Sequence, residues 1–452
     1  MKIIIVGAGK VGLAVAQHLA AEHSVTVIDQ NPALIDHVIN VYDVMGVCGN
    51  GACADVQQEA DVGRANLVIA AASSDEVNIL ICLVAKKLGV QHTIARIRNP
   101  EYEKQLRSMR SELGLSMAIN PERATAREIA RVLRFPNAMK LESFSKGRLE
   151  LVEYRLAAGS PLDGVLLSDL YKNLRARVLV CAVARKEQTI IPSGDFALRS
   201  GDTIYITATP SELEQFFRHL GVFKSRASSV MIVGASKLCY YLAVQLMDMG
   251  MTVKIVDQDR SRAERMSEQL PRALVITGDG TDSELLREEG LAQTDGFVAI
   301  TGMDEANILM ALSVTRQFKN CKVITKINRQ SLTDLVSSED MLGSVVSTGA
   351  VTAEVILQYV RAMQNASGSQ VKTLHRLIGG TVEALEFGIC PESPLIGVPL
   401  RDLKLRPGIL LAGIVRQNGK IVIPSGADAI NAGDDVIVVT TSVLRDIREI
   451  LQ

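Results

Sequence analysis

The sequence predicts an α/β protein in which a doubly wound parallel-sheet lobe is followed by a small α+β lobe, and this pair occurs twice along the chain. Two observations predict this fold class. Short motifs recur in the same order at a nearly constant interval, and β-branched runs alternate with amphipathic segments in the first part of each copy. Strands that alternate with helices are typical of βαβ units and a parallel sheet.

The internal repeat is visible in motifs that keep their order along the chain. Gly7 returns as Gly234 after a similar apolar run, and Asp29 returns as Asp257 at the end of the next apolar run. The later recurrences are Asp75–Asn78 with Asp304–Asn307, Ser160–Leu162 with Ser393–Leu395, and Ile191–Gly194 with Ile423–Gly426. We therefore divide the chain into a first N-lobe (1–139), a first C-lobe (140–224), a second N-lobe (225–369) and a second C-lobe (370–452).

Each lobe has its own pattern of elements. The apolar runs of the first N-lobe predict five strands, at Ile3–Val6, Val25–Ile28, Val44–Val47, Leu67–Ala71 and Thr93–Ile97. Pro32 and Pro121 are typical of the first turn of a helix. Short strands with turn signals follow in the C-lobes, at Glu150–Arg155, Arg177–Val183, Thr203–Ile206 and Val436–Val439.

The composition limits the class of protein. The 49 Lys and Arg residues balance the 50 Asp and Glu residues, and aromatic residues make up only 4%, with no Trp. Neither the charge nor the aromatic content favours binding to nucleic acid. The seven cysteines include no Cys-x-x-Cys pair, and no apolar run approaches the roughly 18 residues of a membrane-spanning helix. We expect a cytoplasmic protein.

The strongest motif is the glycine-rich run of the first N-lobe. It follows an apolar strand, opens an amphipathic helix, and consists of Gly7, Ala8, Gly9, Lys10, Val11 and Gly12. In such a motif the glycines allow a tight turn, a close backbone approach to a pyrophosphate, and close packing of helix on strand. Asp29 ends the second strand, where a carboxylate accepts from a ribose hydroxyl. Since Gln30 and Asn31 supply no cation for a 2′-phosphate, NAD(H) or another adenine nucleotide is favoured over NADP.

The second N-lobe departs from this motif. Ser236 and Cys239 replace its second and third glycines, and we expect their side chains to crowd a pyrophosphate and to push the helix off the strand. Asp257 is retained. A fold kept for structure alone is therefore favoured in the second N-lobe, with nucleotide binding as the alternative.

Further candidate residues lie where strands of the N-lobes end. Asn50 and Asp279 lie in glycine-rich loops after the third strand of each copy. Ser73, Ser74 and Asp75 open the helix after the fourth strand, either as helix caps or as ligand contacts. Arg96 ends the fifth strand, where it contacts either phosphate or solvent. The arginines at 123, 127, 131 and 134 share one helical face, either as a solvated face or as a contact for a partner or a phosphate.

An enzymatic function has little support in the sequence. No His, Tyr-x-x-x-Lys or Cys/His pattern supplies an acid, base or metal site beside a nicotinamide. An NAD-dependent oxidoreductase with an unrecognised active site is the alternative from another class. A nucleotide-sensing scaffold for some other membrane protein is a third.

The duplicated order, the Gly7–Gly12 motif, Asp29, the Gly278–Asp282 loop and the two Asp-Glu-x-Asn-Ile motifs resemble the TrkA family. The resemblance covers essentially the whole chain. It implies tandem RCK (KTN) lobes and a non-enzymatic regulator that binds NAD(H) and also ATP or ADP. It further implies that the protein forms a ring on the cytoplasmic face of the inner membrane and gates a Trk-type potassium transporter.

Individual roles also follow from this resemblance. It implies that Gly7, Gly9 and Gly12 cradle phosphate, that Asp29 binds the ribose, and that Arg96 faces phosphate. Glu122 matches a residue that reaches the nucleotide of a neighbouring lobe, and the second half has no such Pro-Glu near Thr348. Asn50 stands where the family often has an acidic residue near the adenosine.

Overall fold

The first N-lobe is built around a six-stranded parallel sheet with strand order β3-β2-β1-β4-β5-β6. Its strands are β1 (Lys2–Val6), β2 (Ser24–Asp29), β3 (Met45–Cys48), β4 (Leu67–Ala70), β5 (His92–Arg96) and β6 (Met117–Ile119). Its helices are α1 (Lys10–Ala20), α2 (Pro32–Tyr42), α3 (Ala54–Glu59), α4 (Asp75–Lys87) and α5 (Pro121–Arg134). The five predicted strands are confirmed, and β6 is an additional short strand.

These coordinates are a computed structural model. The structure describes residues 1–99, 101–102, 105, 109, 112–134, 140–170, 176–186, 188–221, 228–319, 321–329, 332, 342–364, 371–378, 381–442, 444 and 446–452. The lobe boundaries predicted near residues 139, 224 and 369 fall outside these ranges. Within them, no helix is both long enough and apolar enough to cross a membrane.

The first C-lobe contains an antiparallel sheet with order β10-β9-β11-β8-β7 and, within its described residues, one α-helix. Its elements are β7 (Lys140–Phe144), β8 (Leu149–Arg155), β9 (Leu179–Arg185), β10 (Gln188–Ile190), β11 (Thr203–Ala208) and α6 (Pro210–His219). Thr209 caps α6, since its side chain accepts from the Glu212 amide, and Pro210 occupies the first turn.

The second N-lobe repeats the first, with strand order β14-β13-β12-β15-β16-β17. Its strands are β12 (Ser229–Val233), β13 (Thr252–Asp257), β14 (Leu274–Thr277), β15 (Gly296–Ala299), β16 (Lys322–Lys326) and β17 (Ser344–Val346). Its helices are α7 (Lys237–Asp248), α8 (Arg260–Gln269), α9 (Ser283–Glu288), α10 (Asp304–Gln317) and α11 (Thr348–Gln364).

The second C-lobe repeats the antiparallel sheet, in the order β18-β19-β22-β20-β21. Its strands are β18 (Val371–Leu377), β19 (Val382–Gly388), β20 (Ile409–Val415), β21 (Ile421–Val422) and β22 (Asp435–Thr440). The predicted fold class, a tandem duplication of a parallel-sheet lobe and an α+β lobe, is therefore confirmed.

The two N-lobes together form one compact unit, the N-unit, which comprises Met1–Arg134 and Ala227–Leu357. Its shared core joins α5 to α7 through side chains that include Ile129, Leu133 and Leu242. In the reverse direction, α11 begins against α1. A Cβ atom placed on Gly349 would stand 2.8 Å from the Cβ of Ala14. Each half thus packs the helix after its sixth strand on the first helix of the other half.

The two C-lobes form the second compact unit, the C-unit, which comprises Phe135–Arg226 and Gln358–Gln452. Phe144 and Leu377, the last residues of β7 and β18, belong to one buried cluster. Beside them the His375 Nδ1 atom lies 2.9 Å from a carboxylate oxygen of Glu142. The chain order alone did not predict that like lobes pair with like.

Candidate functional site

The glycine-rich loop of the first N-lobe connects β1 to α1. Gly7 has φ +105°, and a Cβ atom there would lie 2.8 Å from the backbone of Ala71. A Cβ on Gly12 would lie 1.8 Å from the Gly7 carbonyl oxygen. Around Gly9, by contrast, no atom lies within 4 Å of a Cβ position. Gly7 and Gly12 are therefore required by the fold, whereas Gly9 keeps the surface open where a phosphate would approach.

The N-terminus of α1 is available to an anion. Gly9 is its N-cap residue and supplies no side-chain acceptor, and no acidic residue lies in the first turn. Lys10 is exposed there, whereas Val11 is buried against the sheet. The first amides of a helix have no partner within the helix and carry partial positive charge. A phosphate would satisfy them.

Asp29 lies at the end of β2, beside this loop. Its Oδ2 atom accepts from the Ala8 amide at 2.6 Å, and its Oδ1 atom accepts from the Asn31 amide at 2.9 Å. Among the described residues no cation forms an ion pair with Asp29. A carboxylate oxygen accepts more than one hydrogen bond, so Asp29 can also accept from a ribose hydroxyl.

Asn50 lies in the loop after β3. Its side-chain oxygen accepts from the Ala52 amide at 3.1 Å, and the residue is exposed. A Cβ on Gly51 would lie 2.1 Å from a methyl carbon of Val6, so this loop is held close to β1. Asn50 is thus placed at the same sheet edge as Asp29 and the glycine-rich loop.

Asp75 and Asn78 of α4 brace the loops at this edge. The Asp75 carboxylate accepts from the Arg98 and Asn99 amides, each at 2.8 Å. Asn78 is fully buried, accepts from the Ala72 amide and donates to the carbonyl groups of Ala72 and Arg96. Both side chains therefore bind the protein's own backbone.

The two serines before α4 have different environments. The Ser74 hydroxyl caps α4 by accepting from the Val77 amide at 3.3 Å. Ser73 is exposed, and its carbonyl oxygen accepts from Arg96 at 3.5 Å. The helix-cap interpretation is therefore correct for Ser74.

Arg96 ends β5, and Glu122 lies in the first turn of α5, close enough for its charge to act on Arg96. Burial lowers the pKa of Arg96, the like charge of Arg98 lowers it further, and Glu122 and Asp75 oppose this effect. The Arg96 Nε atom is buried without a hydrogen-bond partner in the structure. Glu122 accepts from Arg98 at 2.6 Å through one oxygen. An anion at Arg96 would relieve the cost of its buried donor.

In the second N-lobe the turn between β12 and α7 carries two side chains, Ser236 and Cys239, where the first N-lobe has glycines. Gly234 keeps a positive φ of +110°, but Ser236 caps α7 by accepting from the Cys239 amide at 3.4 Å. Cys239 is fully buried, and its burial raises the pKa of its thiol. The side chain expected to displace the helix is instead accommodated in the core.

Asp257 and Asp279 are likewise engaged within the second N-lobe. Asp257 accepts from the Ala235 amide at 2.7 Å, as Asp29 does from Ala8, and also from the Arg262 guanidinium at 3.0 Å. Asp279 accepts from the amide and hydroxyl of Thr281, which lower its pKa. Asp257 therefore accepts within the lobe through both carboxylate oxygens, and Asp279 accepts through its Oδ1 atom.

Lys326 is a residue that sequence reasoning missed. It ends β16, as Arg96 ends β5, and burial lowers its pKa. Asp304 and Glu122 oppose this lowering, while the like charge of Lys10 adds to it. Because Lys10 and Glu122 belong to the first N-lobe, charges of both halves act at this position. The sequence signal that could have identified Lys326 is that a cationic residue ends the fifth strand of both N-lobes, Arg96 in the first and Lys326 in the second.

The arginine face on α5 is only partly solvated. Arg127 is exposed, but Arg131 is largely buried and its guanidinium lies 2.7 Å from Glu128. The interpretation as a solvated face is therefore wrong for Arg131. No group of three or more potential metal-ligating side chains occurs among the residues that the structure describes.

Comparisons with known proteins agree with this architecture over the whole chain. The TrkA-N domain model matches residues 3–121 and 230–347, and the TrkA-C domain model matches residues 151–221 and 385–452. Trk system potassium uptake protein TrkA homolog 1 of Methanosarcina mazei is 32% identical over 449 residues, which cover 97% of each chain. Trk system potassium uptake protein TrkA of Vibrio alginolyticus is 30% identical over 459 residues and covers 100% of this chain and 99% of its own.

Solved structures share the fold at lower identity. The RCK domain of GsuK superposes with a TM-score of 0.62 at 19% identity, over 98% of this chain and 92% of the other. The GsuK channel bound to NAD gives the same TM-score and identity, over 98% of this chain and 77% of the channel chain.

Proposed function

Because this chain belongs to the TrkA family of potassium-uptake proteins, we propose that it is a regulatory subunit that senses nucleotides and gates a Trk-type membrane potassium transporter. Its ligands would be NAD(H) and also ATP or ADP. It would act without catalysis, as a ring on the cytoplasmic face of the inner membrane. The four lobes at 1–139, 140–224, 225–369 and 370–452 would be its functional modules.

One observation carries this proposal, namely the open phosphate cradle of the first N-lobe, which consists of the Gly7–Gly12 loop, the first amides of α1 and Asp29. Among the described residues, no side chain caps the α1 amides and no cation pairs with Asp29, and Gly9 leaves the approach free. In a nucleotide complex, the loop would hold the phosphates, Asp29 would hold a ribose, and Arg96 would supply positive charge. Asp75 and Asn78 at this edge bind backbone groups and position the loops.

The packing inside the N-unit suggests how binding would be transmitted. Gly349 at the start of α11 approaches Ala14 and the Lys10 carbonyl of α1, the helix that would bind phosphate. A nucleotide at α1 would therefore contact or displace an element of the second half. Gating requires that the nucleotide bind one arrangement of the lobes more tightly than another. A ligand with equal affinity for both arrangements would change nothing.

The proposal is tested on the full chain by calorimetric titration with NAD⁺, NADH, ATP and ADP. We expect Asp29→Ala to weaken binding by about 10- to 100-fold, because a hydrogen bond to a charged group is lost. Asp257→Ala is the matched control and should leave the first site unchanged. Equal losses in the two variants, or no binding by the wild-type chain, would contradict the proposed site.

Gating and catalysis need separate measurements. We expect the chain to co-purify with a multi-span membrane protein and to alter potassium flux through it in proteoliposomes when nucleotide is added. NADH should be bound stoichiometrically without being consumed. Steady NADH oxidation with a carbonyl substrate would instead support the oxidoreductase alternative.

A further inference from the structure

The second N-lobe contains a cavity of about 200 Å³ that the proposed function does not use. It lies between α9 and α10, beneath the loop that follows β14. Its wall is mainly apolar and includes Leu286, Leu291 and Phe318, with the hydroxyl-bearing Ser313 and the backbone of Gly280 beside them. A chemically mixed wall of this kind suits a small ligand with an apolar body and one polar group.

The first N-lobe shows what occupies the equivalent place. Gln57 is the fourth residue of α3, as Leu286 is the fourth residue of α9. Gln57 is fully buried, and its side-chain amide donates to the carbonyl oxygens of Gly51 at 2.7 Å and Ile81 at 3.1 Å. This side chain therefore ties the loop after β3 to α4.

The backbone of the loop is the same in both lobes. A Cβ on Gly51 would lie 2.1 Å from a methyl carbon of Val6, and a Cβ on Gly280 would lie 2.1 Å from the equivalent carbon of Val233. Gly280 therefore corresponds to Gly51 in space as well as in sequence.

The donor, however, is missing in the second N-lobe. Leu286 has no hydrogen-bonding group, and no described residue donates to the carbonyl oxygen of Gly280, which is a buried residue. A buried acceptor without a donor is costly. Ser313, which lines the same cavity as Gly280, replaces the larger Val84 of the first N-lobe and so leaves more room in the cavity.

We propose that this cavity binds a small aromatic or alicyclic molecule that carries one N–H or O–H donor. The donor would take the place of the Gln57 amide and bond the Gly280 carbonyl, and the ring would fill the apolar part. An apolar cavity of about 150 Å³ is large enough for benzene, so about 200 Å³ admits a ring with a polar substituent. The bound molecule would join the Gly280 loop to α10, as Gln57 joins the equivalent elements. This site is separate from the nucleotide cradle, so its test does not depend on nucleotide binding.

Indole is a suitable probe because it combines a ring with one N–H donor. The chain contains no Trp, so indole fluorescence can be followed directly in a titration of the full-length protein. We expect saturable binding of one indole per chain. Benzofuran has nearly the same shape but carries an oxygen in place of the N–H group. It should bind about five-fold more weakly, since one hydrogen bond is lost.

Two variants place the site. Leu286→Gln introduces the residue of the first N-lobe and should abolish indole binding. Ser313→Val narrows the cavity by introducing the residue of the first N-lobe and should also abolish indole binding, so it tests the site even if Leu286→Gln fails to fold. Leu274→Gln makes the same chemical change at an exposed position on β14 and should leave binding intact.

The outcomes are decisive in both directions. Saturable binding that both cavity variants remove, with Leu274→Gln unaffected, supports the site. Absence of saturable binding, or binding unchanged by Ser313→Val, overturns it. Equal affinities for indole and benzofuran would overturn the role assigned to the Gly280 carbonyl.

Discussion

The two N-lobes share one backbone plan but differ in which polar groups remain available. In the first, Gly9 supplies no side-chain cap to α1, and the partners of Asp29 within the described part of the chain are backbone amides. In the second, Ser236 caps α7 and Arg262 binds Asp257. A duplicated fold therefore does not duplicate a binding site. A site persists only where donors and acceptors are left without internal partners.

Both N-lobes share a loop brace, which is formed by the buried side chains of Asn78 and Asn307. Asn307 accepts from the Thr301 amide and donates to the Lys326 carbonyl, as Asn78 does with Ala72 and Arg96. We expect Asn78→Ala and Asn307→Ala each to lower the free energy of unfolding by about 3 kcal/mol, because buried backbone groups lose their partners. Chemical denaturation measures this change.

Lys87→Ala, at an exposed position on α4, serves as the control and should cost less than about 0.5 kcal/mol. A large cost in only one of the two Asn variants would show that the brace is not shared.

A carboxylate introduced at the second glycine position should weaken NAD⁺ binding in the first N-lobe alone. Gly9→Asp places a carboxylate in open space, so folding should be unaffected, but the negative charge would oppose a phosphate. We expect the affinity for NAD⁺ to fall about 100-fold, which is the upper range for a lost charge-assisted contact. Calorimetric titration measures this loss. Ser236→Asp at the equivalent position should change the affinity at the first site by less than two-fold, and similar losses in both variants would remove the distinction between the lobes.

The second N-lobe should gain affinity when its internal partners are removed. Ser236→Gly frees a helix amide and Arg262→Leu frees Asp257. In the double variant we expect binding at a second site to strengthen about ten-fold, as one to two hydrogen bonds become available to ligand. The stoichiometry of ADP binding reports the change. Arg260→Leu, an exposed change on the same helix, should have no effect, and a double variant that still binds one nucleotide would show that Cys239 closes the site.

A smaller difference concerns acid stability. Burial alone would raise the pKa of Asp295, but hydrogen bonds from the amides and hydroxyls of Ser228 and Ser229 outweigh it and hold this pKa below its usual value. Its folded pKa is therefore below its unfolded pKa, so Asp295 stabilises the fold above about pH 4 and this contribution is lost as the pH falls through the folded pKa. Asn66 takes its place in the first N-lobe.

The Asp295→Asn variant should accordingly show a weaker fall in Tm between pH 5 and pH 3 than the wild type, as measured by thermal melting across that range. The reciprocal Asn66→Asp variant should show a steeper fall. Identical pH profiles for all three proteins would mean that these carboxyl contacts do not contribute.

Much of the fold and the core of the cradle could be predicted because local physics determines them. The positive φ at Gly7 favours glycine, and the short distance between position 12 and the Gly7 carbonyl oxygen leaves no room for a Cβ atom. Both positions could therefore be predicted from the glycine motif in the sequence. The strand β6 is only three residues long and lacked a sufficient apolar run. The pairing of like lobes depends on contacts between distant residues, for which local pattern gives no signal.

The role of Asp75 shows where sequence reasoning ends. An Asp at a helix start is compatible with a cap, a ligand contact or a loop brace. The distinction depends on the Arg98 and Asn99 amides, which lie in the loop after β5 and donate to the Asp75 carboxylate. The same holds for Arg131, whose spacing along the helix did not predict that its side chain is largely buried and paired with Glu128.

The Glu142 and His375 pair has a consequence for the origin of the chain. Phe144 pairs with Leu149 and Leu377 pairs with Val382 at equivalent hairpin ends, so Glu142 and His375, each two residues earlier, occupy the same position in the two halves. In an ancestor made of two identical chains, this position would have faced its own copy, acid against acid or imidazole against imidazole. In a single chain the two positions can differ, and here one carries a carboxylate and the other an imidazole. A chain rebuilt from two first halves would bring two carboxylates together here, so the halves are no longer interchangeable.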